Sequence, residues 1–438
     1  MSACPSSPIT VLAGCSDAVP DLANPAVVDP ATADLLVALA AVSDPRKSRG
    51  VRHRLVTVLA AAVCAVLAGA RSYAVIAEWA HDLPVSVRLR LGMGRVTPSE
   101  STFRRVLQRV DADELDTVVS GWLALRVTST GPTSTGPTSI GPVRAIAVDG
   151  KTARGARLAD GRAVHLLGAL DHRSGVVLGQ TQVDAKTNEI TAFVPLLERI
   201  DHACPLAAAV ITADALHTQD RHARWLHTRG AHYVFIVKGN RPTLHTQLAD
   251  LPWQTIPVVD EMRGRGHGRA ETRTLQLCAI TGLGGRGIGF PHARLAARIV
   301  RRRRPISGAK KGSTETVYAV TSLGFGDVRA HQLAEIIRGH WHVENQLHWV
   351  RDVVFAEDLS QIRTGNGPAV MAVLRNLAIS RHRLAGATNI AAACRDTGRH
   401  PLRAVDLLRP ESASSGEVVR GETTVGARWP AMIVFAKT

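Results

Sequence analysis

Hydrophobic and polar residues follow two different periods along this chain. From about Ala31 to Val127, apolar residues recur at three- and four-residue spacing, which is typical of amphipathic helices. The run LVTVLAAAVCAVLAG at Leu55–Gly69 is too short to span a bilayer, and Arg71 follows it closely, so it predicts a buried helix. We therefore expect an all-helical N-terminal domain.

A strand-like pattern replaces the helical one from Val143 onwards. Five short apolar segments predict strands, namely RAIAVDGK, AVHLLGAL, GVVLGQTQV, AAVITADAL and HYVFIVK. Helical segments follow the third (NEITAFVPLLERI) and the fourth (DRHARWLHTRG). This order predicts an α/β fold in which helices flank a mixed sheet. Helical periodicity returns from Arg329 to about Arg395.

Two segments interrupt these patterns. The repeat TSTGPTSTGPTSIGP can bury no side chains and predicts a linker. Residues 239–315 are rich in Gly and Arg, with short strand-like pieces, and predict a basic β-rich insertion. The predicted segments are a disordered arm (1–30), the helical domain (31–127), the linker (128–142), the first part of the core (143–238), the insertion (239–315), the second part of the core (316–409) and an irregular tail (410–438).

The charge balance points to a polyanionic partner. Lys and Arg total 53 against 37 Asp and Glu, which gives a net charge of +16 and a pI near 10.5. Such an excess favours nucleic acid or an anionic membrane surface. The six cysteines form no CxxC pair, which fits a reducing cytoplasm and argues against a disulfide framework or a thiolate zinc site. The N-terminus shows no signal-peptide pattern, so we expect a cytoplasmic protein without membrane association.

Two aspartates end predicted strands. Asp149 ends the strand-like run AIAVD, and Asp214 ends AVITAD. A carboxylate at such a position lies where α/β folds expose their functional edge. Each residue taken alone is more readily explained as a turn former or a helix cap.

A third acid, Glu344, lies in the helical segment EIIRGHWHVENQLHWVRDVVF. At about 100° per residue, a regular helix buries one apolar stripe and presents Glu344 on an adjacent stripe with basic and imidazole groups. The alternatives are a solvated helix face with i,i+4 pairs, or a zinc site, which no HExxH motif or cysteine supports. The apolar stripe is Ile336, Val343, Leu347, Val350 and Val354, and the second is Ile337, His340, Glu344, His348 and Arg351.

Three carboxylates from two strand ends and a helix suit a hard divalent cation. Mg²⁺ prefers oxygen ligands and keeps several waters, so few protein ligands are needed. In sites with two metal ions, the ions lie roughly 3.5–4 Å apart and stabilise the attacking and the leaving oxygen. Phosphodiester chemistry on DNA fits both this apparatus and the basic charge.

The segments AVDGKTARGA, ITADALHTQ and RGHWHVENQLHWVRDVVFAEDLSQIRTGNGP together resemble the DDE transposases of bacterial insertion sequences, in the branch with the H-repeat-associated proteins. The similarity runs from about Leu35 to Leu408. It implies an RNase H-like sheet on which Asp149, Asp214 and Glu344 form the catalytic triad and hold two Mg²⁺ ions, with Mn²⁺ as a substitute. It also implies end cleavage and strand transfer of double-stranded transposon and target DNA, by a homodimer or higher oligomer at the bacterial nucleoid.

The segment around Glu344 departs from the family pattern Tyr-x2-Arg-x3-Glu-x6-Lys. Arg351 keeps a cation where the lysine contacts DNA phosphate, His340 replaces the arginine, and no tyrosine is present. The resemblance therefore implies phosphate contacts for Arg351 and, less directly, for His340. The nearby acids are expected to form mostly structural salt bridges; they are Asp352, Glu357 and Asp358.

Further basic residues are candidates for contacts with DNA. Lys151 would touch the scissile strand or simply be solvated, and Lys238 and Arg241 in KGNRP would contact the backbone. In the insertion, HGRAETR would bind transposon ends or form a charged hairpin with internal ion pairs. The helix SESTFRRVLQRV suits phosphate contacts or dimerisation. The candidates in these two segments are His267, Arg269, Arg273, Arg104 and Arg105.

Two other functions remain open on the sequence. The first is an RNase H-like nuclease without strand transfer. Recognition of transposon ends needs the basic insertion and the helical domain more than simple cutting does, so their presence argues against a nuclease. A non-catalytic or domesticated DNA-binding relative would be expected to lack at least one triad carboxylate, and all three are present. The sequence therefore favours a transposase.

Overall fold

The computed structural model of the chain describes residues 35–129, 143–157, 161–183, 188–266, 268–280, 288–306 and 311–409. The predicted arm and tail, most of the predicted linker, and His267 lie outside the described residues. In the described parts, the α/β class predicted from the sequence is confirmed, with a nine-stranded mixed sheet and flanking helices.

The N-terminal region is helical, as predicted. Its longest apolar helix, α2, is buried from Val58 to Leu67, because the alanines in the segment let neighbouring helices approach closely. Among the described helices, none is long and apolar enough to cross a bilayer. The helices of this region are α1 (Leu35–Ala40), α2 (Leu55–Leu67), α3 (Tyr73–Asp82), α4 (Val85–Arg90), α5 (Glu100–Leu107) and α6 (Ala112–Ser129).

All five predicted strands and both predicted helices of the first core segment are present. The strands β1 to β3 are antiparallel neighbours, whereas β4 and β5 run parallel to β1. The elements are β1 (Ala145–Arg157), β2 (Ala163–Asp171), β3 (Val177–Val183), α7 (Glu189–Ala203), β4 (Val210–Ala213), α8 (Asp220–Thr228) and β5 (His232–Val237).

The predicted insertion is β-rich, and its strands extend the core sheet. The order across the sheet is β3-β2-β1-β4-β5-β9-β8-β7-β6, in which β9 pairs with β5 antiparallel. Each later strand then pairs with its neighbour as an antiparallel ladder. The elements are α9 (Pro242–Ala249), β6 (Val258–Gly266), β7 (Arg269–Ala279), β8 (Leu295–Pro305) and β9 (Ser313–Thr321).

The C-terminal helices join the N-terminal helices to the sheet. The helix α12 is buried along nearly its whole length and packs against α2, α6 and β3, so that one hydrophobic core spans both regions. The two ends of the described chain also meet, because Leu35 N donates to Leu408 O at 2.8 Å. The helices are α10 (Ala330–Gly339), α11 (Trp349–Val353), α12 (Gly367–Leu384), α13 (Ile390–Arg399) and α14 (Pro401–Asp406).

A close backbone approach fixes the segment after α11 against β1. A Cβ atom at Gly155 would lie 2.6 Å from the carbonyl oxygen of Asp358 and 2.7 Å from that of Ser360. We predict that Gly155→Ala forces the two backbones apart and lowers the free energy of unfolding by about 1–3 kcal/mol, the usual cost of overpacking. Urea unfolding measures this change. The control is Gly264→Ala, where a Cβ would meet nothing within 4 Å; equal stability of both variants would contradict the prediction.

Candidate functional site

Asp149 and Asp214 are neighbours at one end of the sheet, which we call the acidic end. The parallel register of β1 and β4 places Val148 opposite Ala213, so the next residue of each chain segment is an aspartate. Asp149 continues in β1, whereas Asp214 leaves the sheet and caps a short 3-10 turn by accepting a hydrogen bond from Leu216 N at 3.0 Å. The pairing of the two strands therefore brings these two predicted residues together.

The segment that carries Glu344 is not the regular helix that the sequence predicted. The helix α10 ends at Gly339, Val343–His348 forms a π-helical turn, and α11 follows. The apolar stripe is buried as predicted. The second stripe is divided, because Glu344 is exposed whereas His348 and Arg351 are buried. A π turn has i→i+5 bonds, so it changes the rotational phase of the residues after it.

Asp149, Glu344 and His348 converge at the acidic end. Nδ1 of His348 lies 3.0 Å from Oε2 of Glu344 and 3.7 Å from Oδ2 of Asp149. One ligand atom from each of the three residues lies within 4.8 Å of the others, which makes them, in the described residues, a group able to hold a metal ion. Asp214 is not in that group. The set offers two carboxylates and one imidazole.

The negative charge at the acidic end is concentrated around Asp149. Burial raises the pKa of Asp149 to about 6, although the neighbouring imidazole of His348 lowers it. Further carboxylates add to the rise through their negative charge, namely Asp214, Glu189 and Glu344. Mutual repulsion of this kind disfavours the ionised state, and a cation between the acids would relieve it.

His340 lies at the end of α10 beside β4. Nδ1 of His340 and Nε2 of His172 each lie 3.1 Å from the hydroxyl oxygen of Thr212. Burial, together with the positive charges of neighbouring groups, lowers the pKa of His340 to about 4, so that the imidazole is neutral at neutral pH. A contact between His340 and phosphate stays a prediction. Because the imidazole is neutral, such a contact would be a hydrogen bond and would lack the positive charge that the arginine of the family pattern supplies.

The structure corrects the predicted role of Arg351. Its side chain is 2% exposed, and its guanidinium donates to both carboxylate oxygens of Glu357, at 2.8 and 2.9 Å, and to Gln180 Oε1 at 3.1 Å. Arg375 donates to Glu357 from the other side at 2.8 Å. The residue is turned away from solvent because the π turn shifts α11. Arg351 therefore holds the protein interior together and offers no donor to DNA.

Lys151 fits neither of its two predicted roles. Its side chain is 8% exposed, and Nζ lies 2.6 Å from Oδ2 of Asp352 and 4.0 Å from Oδ1 of Asp358. The amide nitrogen of Arg154 donates to Asp358 as well, at 3.1 Å. The prediction that the acids after Glu344 form mostly structural salt bridges is thus confirmed for Asp352, Glu357 and Asp358.

Lys238 and Arg241 lie in the loop that follows β5, which ends next to β4. Lys238 is exposed. Asn240 Nδ2 donates to Ala215 O at 2.6 Å and so ties this loop to the turn after Asp214. Arg241 pairs with Asp220 at 2.6 Å. A DNA contact by Lys238 stays a prediction that its position at the acidic end supports.

The insertion carries its charges on two faces. Glu271 pairs with Arg273 at 2.6 Å, with Arg301 at 2.7 Å and with Arg303 at 3.4 Å, so the hairpin has the internal ion pairs of the alternative interpretation. Successive residues of a strand face opposite sides. Arg302 and Arg304, which alternate with the paired Arg301 and Arg303, are exposed, and Arg269 is half-buried. The alternation within the run Arg301–Arg304 is the sequence signal for these two faces.

The basic residues of α5 face solvent, as a contact with phosphate would require. The helix buries Phe103, Val106 and Leu107 and exposes Arg104 and Arg105. Arg104 pairs with Glu100 at 3.2 Å, and Arg105 donates to Ser101 O at 3.0 Å. DNA binding by these residues stays a prediction.

Glu189, at the acidic end, was not among the candidate residues predicted from the sequence. It is the first residue of α7 and receives hydrogen bonds from His165 and His217. Trp341 and Trp349, which lie on either side of the π turn, are 59% and 46% exposed. In the sequence, Glu189 is marked only by its place in the pair Asn188-Glu189, which begins the helical segment after the third predicted strand.

Oxygen-rich groups at the end of parallel strands form the kind of site that binds divalent cations. A family model described as "Transposase DDE domain" matches residues 141–381, and one described as "DDE_Tnp_1-associated" matches residues 36–123. Because the first model spans more than half of the chain, the chain belongs to the DDE transposase family, a family of nucleic-acid-processing enzymes.

Known proteins of similar sequence carry transposase names. "Putative transposase YncI" of Escherichia coli O157:H7 is 29% identical over 363 residues, which cover 79% of this chain and 86% of the relative. "H repeat-associated putative transposase YhhI" of E. coli K12 is 28% identical over 355 residues, covering 79% and 89%. The cryo-EM structure of the piggyBac transposase synaptic complex with hairpin DNA matches 88% of this chain and 81% of that chain with a TM-score of 0.38 and 11% identity. A structural similarity this low decides nothing further.

The buried charges around Glu357 generate a prediction for stability. Replacing Glu357 with alanine leaves the guanidinium groups of Arg351 and Arg375 buried without a counter-charge. We expect the free energy of unfolding to fall by about 3–5 kcal/mol, the cost of breaking a buried ion pair from one side. Chemical denaturation measures this loss. Glu335→Ala, at an exposed position of α10, should change stability by less than about 0.5 kcal/mol, and a similarly small effect at Glu357 would contradict the assignment.

Proposed function

We propose that this protein is a DDE transposase that cuts DNA at the ends of an insertion sequence and joins the freed ends to target DNA in a metal-dependent reaction. The observation that carries the proposal is the convergence of Asp149, Glu344 and His348 within 4.8 Å, beside Asp214. Family membership makes DNA the expected substrate. The strand order β3-β2-β1-β4-β5 supplies the mixed sheet to which the RNase H-like prediction refers.

The residues at the acidic end fit a divalent cation. Carboxylates of Asp149, Asp214 and Glu344 are the oxygen ligands that Mg²⁺ prefers, and the imidazole of His348 is a ligand that Mn²⁺ accepts as well. Burial, with a smaller contribution from the negative charges of the neighbouring acids, raises the pKa of Asp149 to about 6, and this supports a site that a cation would stabilise. A bound cation would supply charge neutralisation at the phosphate and activation of the attacking oxygen. We propose two Mg²⁺ ions, as the family resemblance implies.

The protein's own groups would position the DNA. Lys238 is exposed beside the turn after Asp214, and Arg302 and Arg304 are exposed on the insertion. Phosphate contacts of this kind fix the register of a duplex without reading its sequence. The neutral His340 would add a hydrogen bond close to the reacting phosphate. A homodimer or higher oligomer on DNA, bacterial nucleoid association, and end recognition by the N-terminal helices belong to the same proposal.

Removing a single ligand tests the catalytic assignment. We predict that Asp149→Asn, Asp214→Asn and Glu344→Gln each abolish Mg²⁺- or Mn²⁺-dependent cleavage of DNA that carries the element's ends, because each exchange removes a ligand charge and keeps the shape of the side chain. Gel analysis of labelled end DNA measures cleavage. Asp250→Asn, an exposed position after α9, should retain full activity, and full activity in any one of the three variants would remove that residue from the catalytic set.

The products distinguish the related functions. A transposase yields 3′-hydroxyl ends that become covalently joined to a second duplex, whereas a nuclease yields cleaved ends without joined products. Binding of end DNA without metal-dependent cleavage, equal in wild type and Asp149→Asn, would identify a non-catalytic DNA-binding protein. Either of these two results would contradict the proposed function.

Lys238 generates a prediction about the dependence of DNA binding on salt. We expect Lys238→Ala to weaken binding and to reduce the slope of log K against log salt by about 0.9, the value for one phosphate contact on duplex DNA. Fluorescence anisotropy over a series of salt concentrations measures the slope. Lys151→Met should leave the slope unchanged, because Lys151 is buried against Asp352. Equal slopes for wild type and Lys238→Ala would contradict the assignment.

A further inference from the structure

Glu189 lies against the strand that carries Asp149. A Cβ atom at Gly150 would lie 2.5 Å from Oε1 and 2.6 Å from Oε2 of Glu189. The carboxylate therefore packs directly on the backbone of β1, at the residue that follows Asp149, and only a glycine leaves room for it there. Asn188 caps α7 by accepting a hydrogen bond from Thr191 N at 3.3 Å, which fixes the first turn from which Glu189 extends.

Two histidines from different elements hold this carboxylate. Nε2 of His165, on β2, lies 2.7 Å from Oε1, and Nε2 of His217, in the turn that begins after Asp214, lies 3.3 Å from Oε2. Nδ1 of His165 lies 2.8 Å from Thr152 Oγ1, whose hydroxyl can donate to it. Nδ1 of His217 is buried and has no hydrogen-bond partner in the described residues. Each ring can therefore carry a proton on Nε2 and donate it to Glu189.

Glu189 stays ionised in this environment. Burial raises its pKa, but the hydrogen bonds and charges of His165 and His217 outweigh burial and lower the pKa to about 2. The charge of Glu189 also helps to raise the pKa of Asp149. The negative charge of Glu189 opposes the ionisation of the neighbouring acids, and a cation bound among them would be attracted by every nearby carboxylate.

The three contacts of Glu189 described above, with Gly150, His165 and His217, each reach an element that carries or adjoins an acid of the site. Gly150 is adjacent to Asp149 in β1. His217 ends the turn that Asp214 caps, and its side chain is fully buried, packed 4.9 Å from the ring of Phe193 on α7. His165 belongs to β2, the antiparallel neighbour of β1. The carboxylate thus connects β1, β2 and the Asp214 turn at a single point.

We propose that Glu189, held by His165 and His217, is a positioning residue that fixes Asp149 and Asp214 relative to each other, so that both reach the metal ions. This inference rests on the proposed function, because it assigns Glu189 a role at the same metal site. Groups that orient metal ligands from behind typically contribute about 10–100-fold to metal affinity or activity. Glu189 acts through the backbone of β1 and through His217, without contact to the reacting phosphate.

Mn²⁺ binding to the full chain tests this role without any need for catalysis. The EPR signal of free Mn²⁺ reports the unbound ion in a titration, and thermal unfolding reports the stability of each variant. We expect Glu189→Gln to bind Mn²⁺ about 10–100-fold more weakly than wild type, because the amide cannot accept a hydrogen bond from both imidazoles. The matched control is Glu198→Gln on the same helix. The Glu198 side chain is 45% exposed, and its nearest cation, Arg229, lies 3.9 Å away. The Glu198→Gln variant should bind Mn²⁺ as the wild type does.

Two further variants make the outcome decisive. His165→Asn removes one donor at a partly exposed position and should weaken Mn²⁺ binding several-fold, so it decides the question if Glu189→Gln does not fold. Asp149→Asn should lose high-affinity binding altogether. Wild-type affinity in Glu189→Gln and His165→Asn, with loss in Asp149→Asn, would overturn the role of Glu189 and leave the proposed function intact. Wild-type affinity in Asp149→Asn would overturn the metal site itself.

Discussion

The parallel pairing of β1 with β4 is the interaction on which the site depends. Its register pairs Val148 with Ala213, the last residue of β4, so Asp149 and Asp214 become neighbours although 65 residues (214 − 149) separate them in the chain. A shift of one residue would turn one of the two side chains to the opposite face of the sheet. The apolar residues before each aspartate prevent such a shift, since they are buried on both faces. The hydrophobic core therefore determines where the acids lie.

The charged groups packed around the acidic end are paired with one another and not with the acids of the site. Glu357 is shared by two buried arginines, which anchor α11 and α12 to each other just after the π turn of Glu344. Lys151, two residues after Asp149 in β1, is paired with Asp352. Neither group of charges neutralises the acidic end itself, where the pKa of Asp149 remains raised. The charges of Glu357 and Lys151 thus have partners of opposite charge, whereas the acids of the site form a group that a cation can bind.

The sequence predicted the strands, the apolar stripe and the family well, because period and motif are local properties. It predicted the environment of single side chains less well. Arg351 was expected on the surface because a regular helix was assumed, and the π turn altered the phase of the residues after it. The sequence did not predict the role of Glu189, because its partners His165 and His217 lie 24 and 28 residues away in the chain and only the folded sheet brings them together. The burial of Lys151 was not predicted for the same reason, since its partner Asp352 lies 201 residues away in the chain.

The continuity of the sheet from β1 to β6 has a mechanical consequence. In the described residues, β5, β9, β8 and β7 are joined by antiparallel ladders without a register shift, so one sheet connects the acidic end to the arginine-rich strands of the insertion. A nucleic acid bound at the arginine-rich strands of the insertion would therefore be held at a constant distance from the acids of the site. Insertions within the hairpin loops would leave that span unchanged, whereas a register slip between β5 and β9 would alter it in steps of one residue, about 3.4 Å. The sheet thus sets the distance between the basic strands of the insertion and the acidic end.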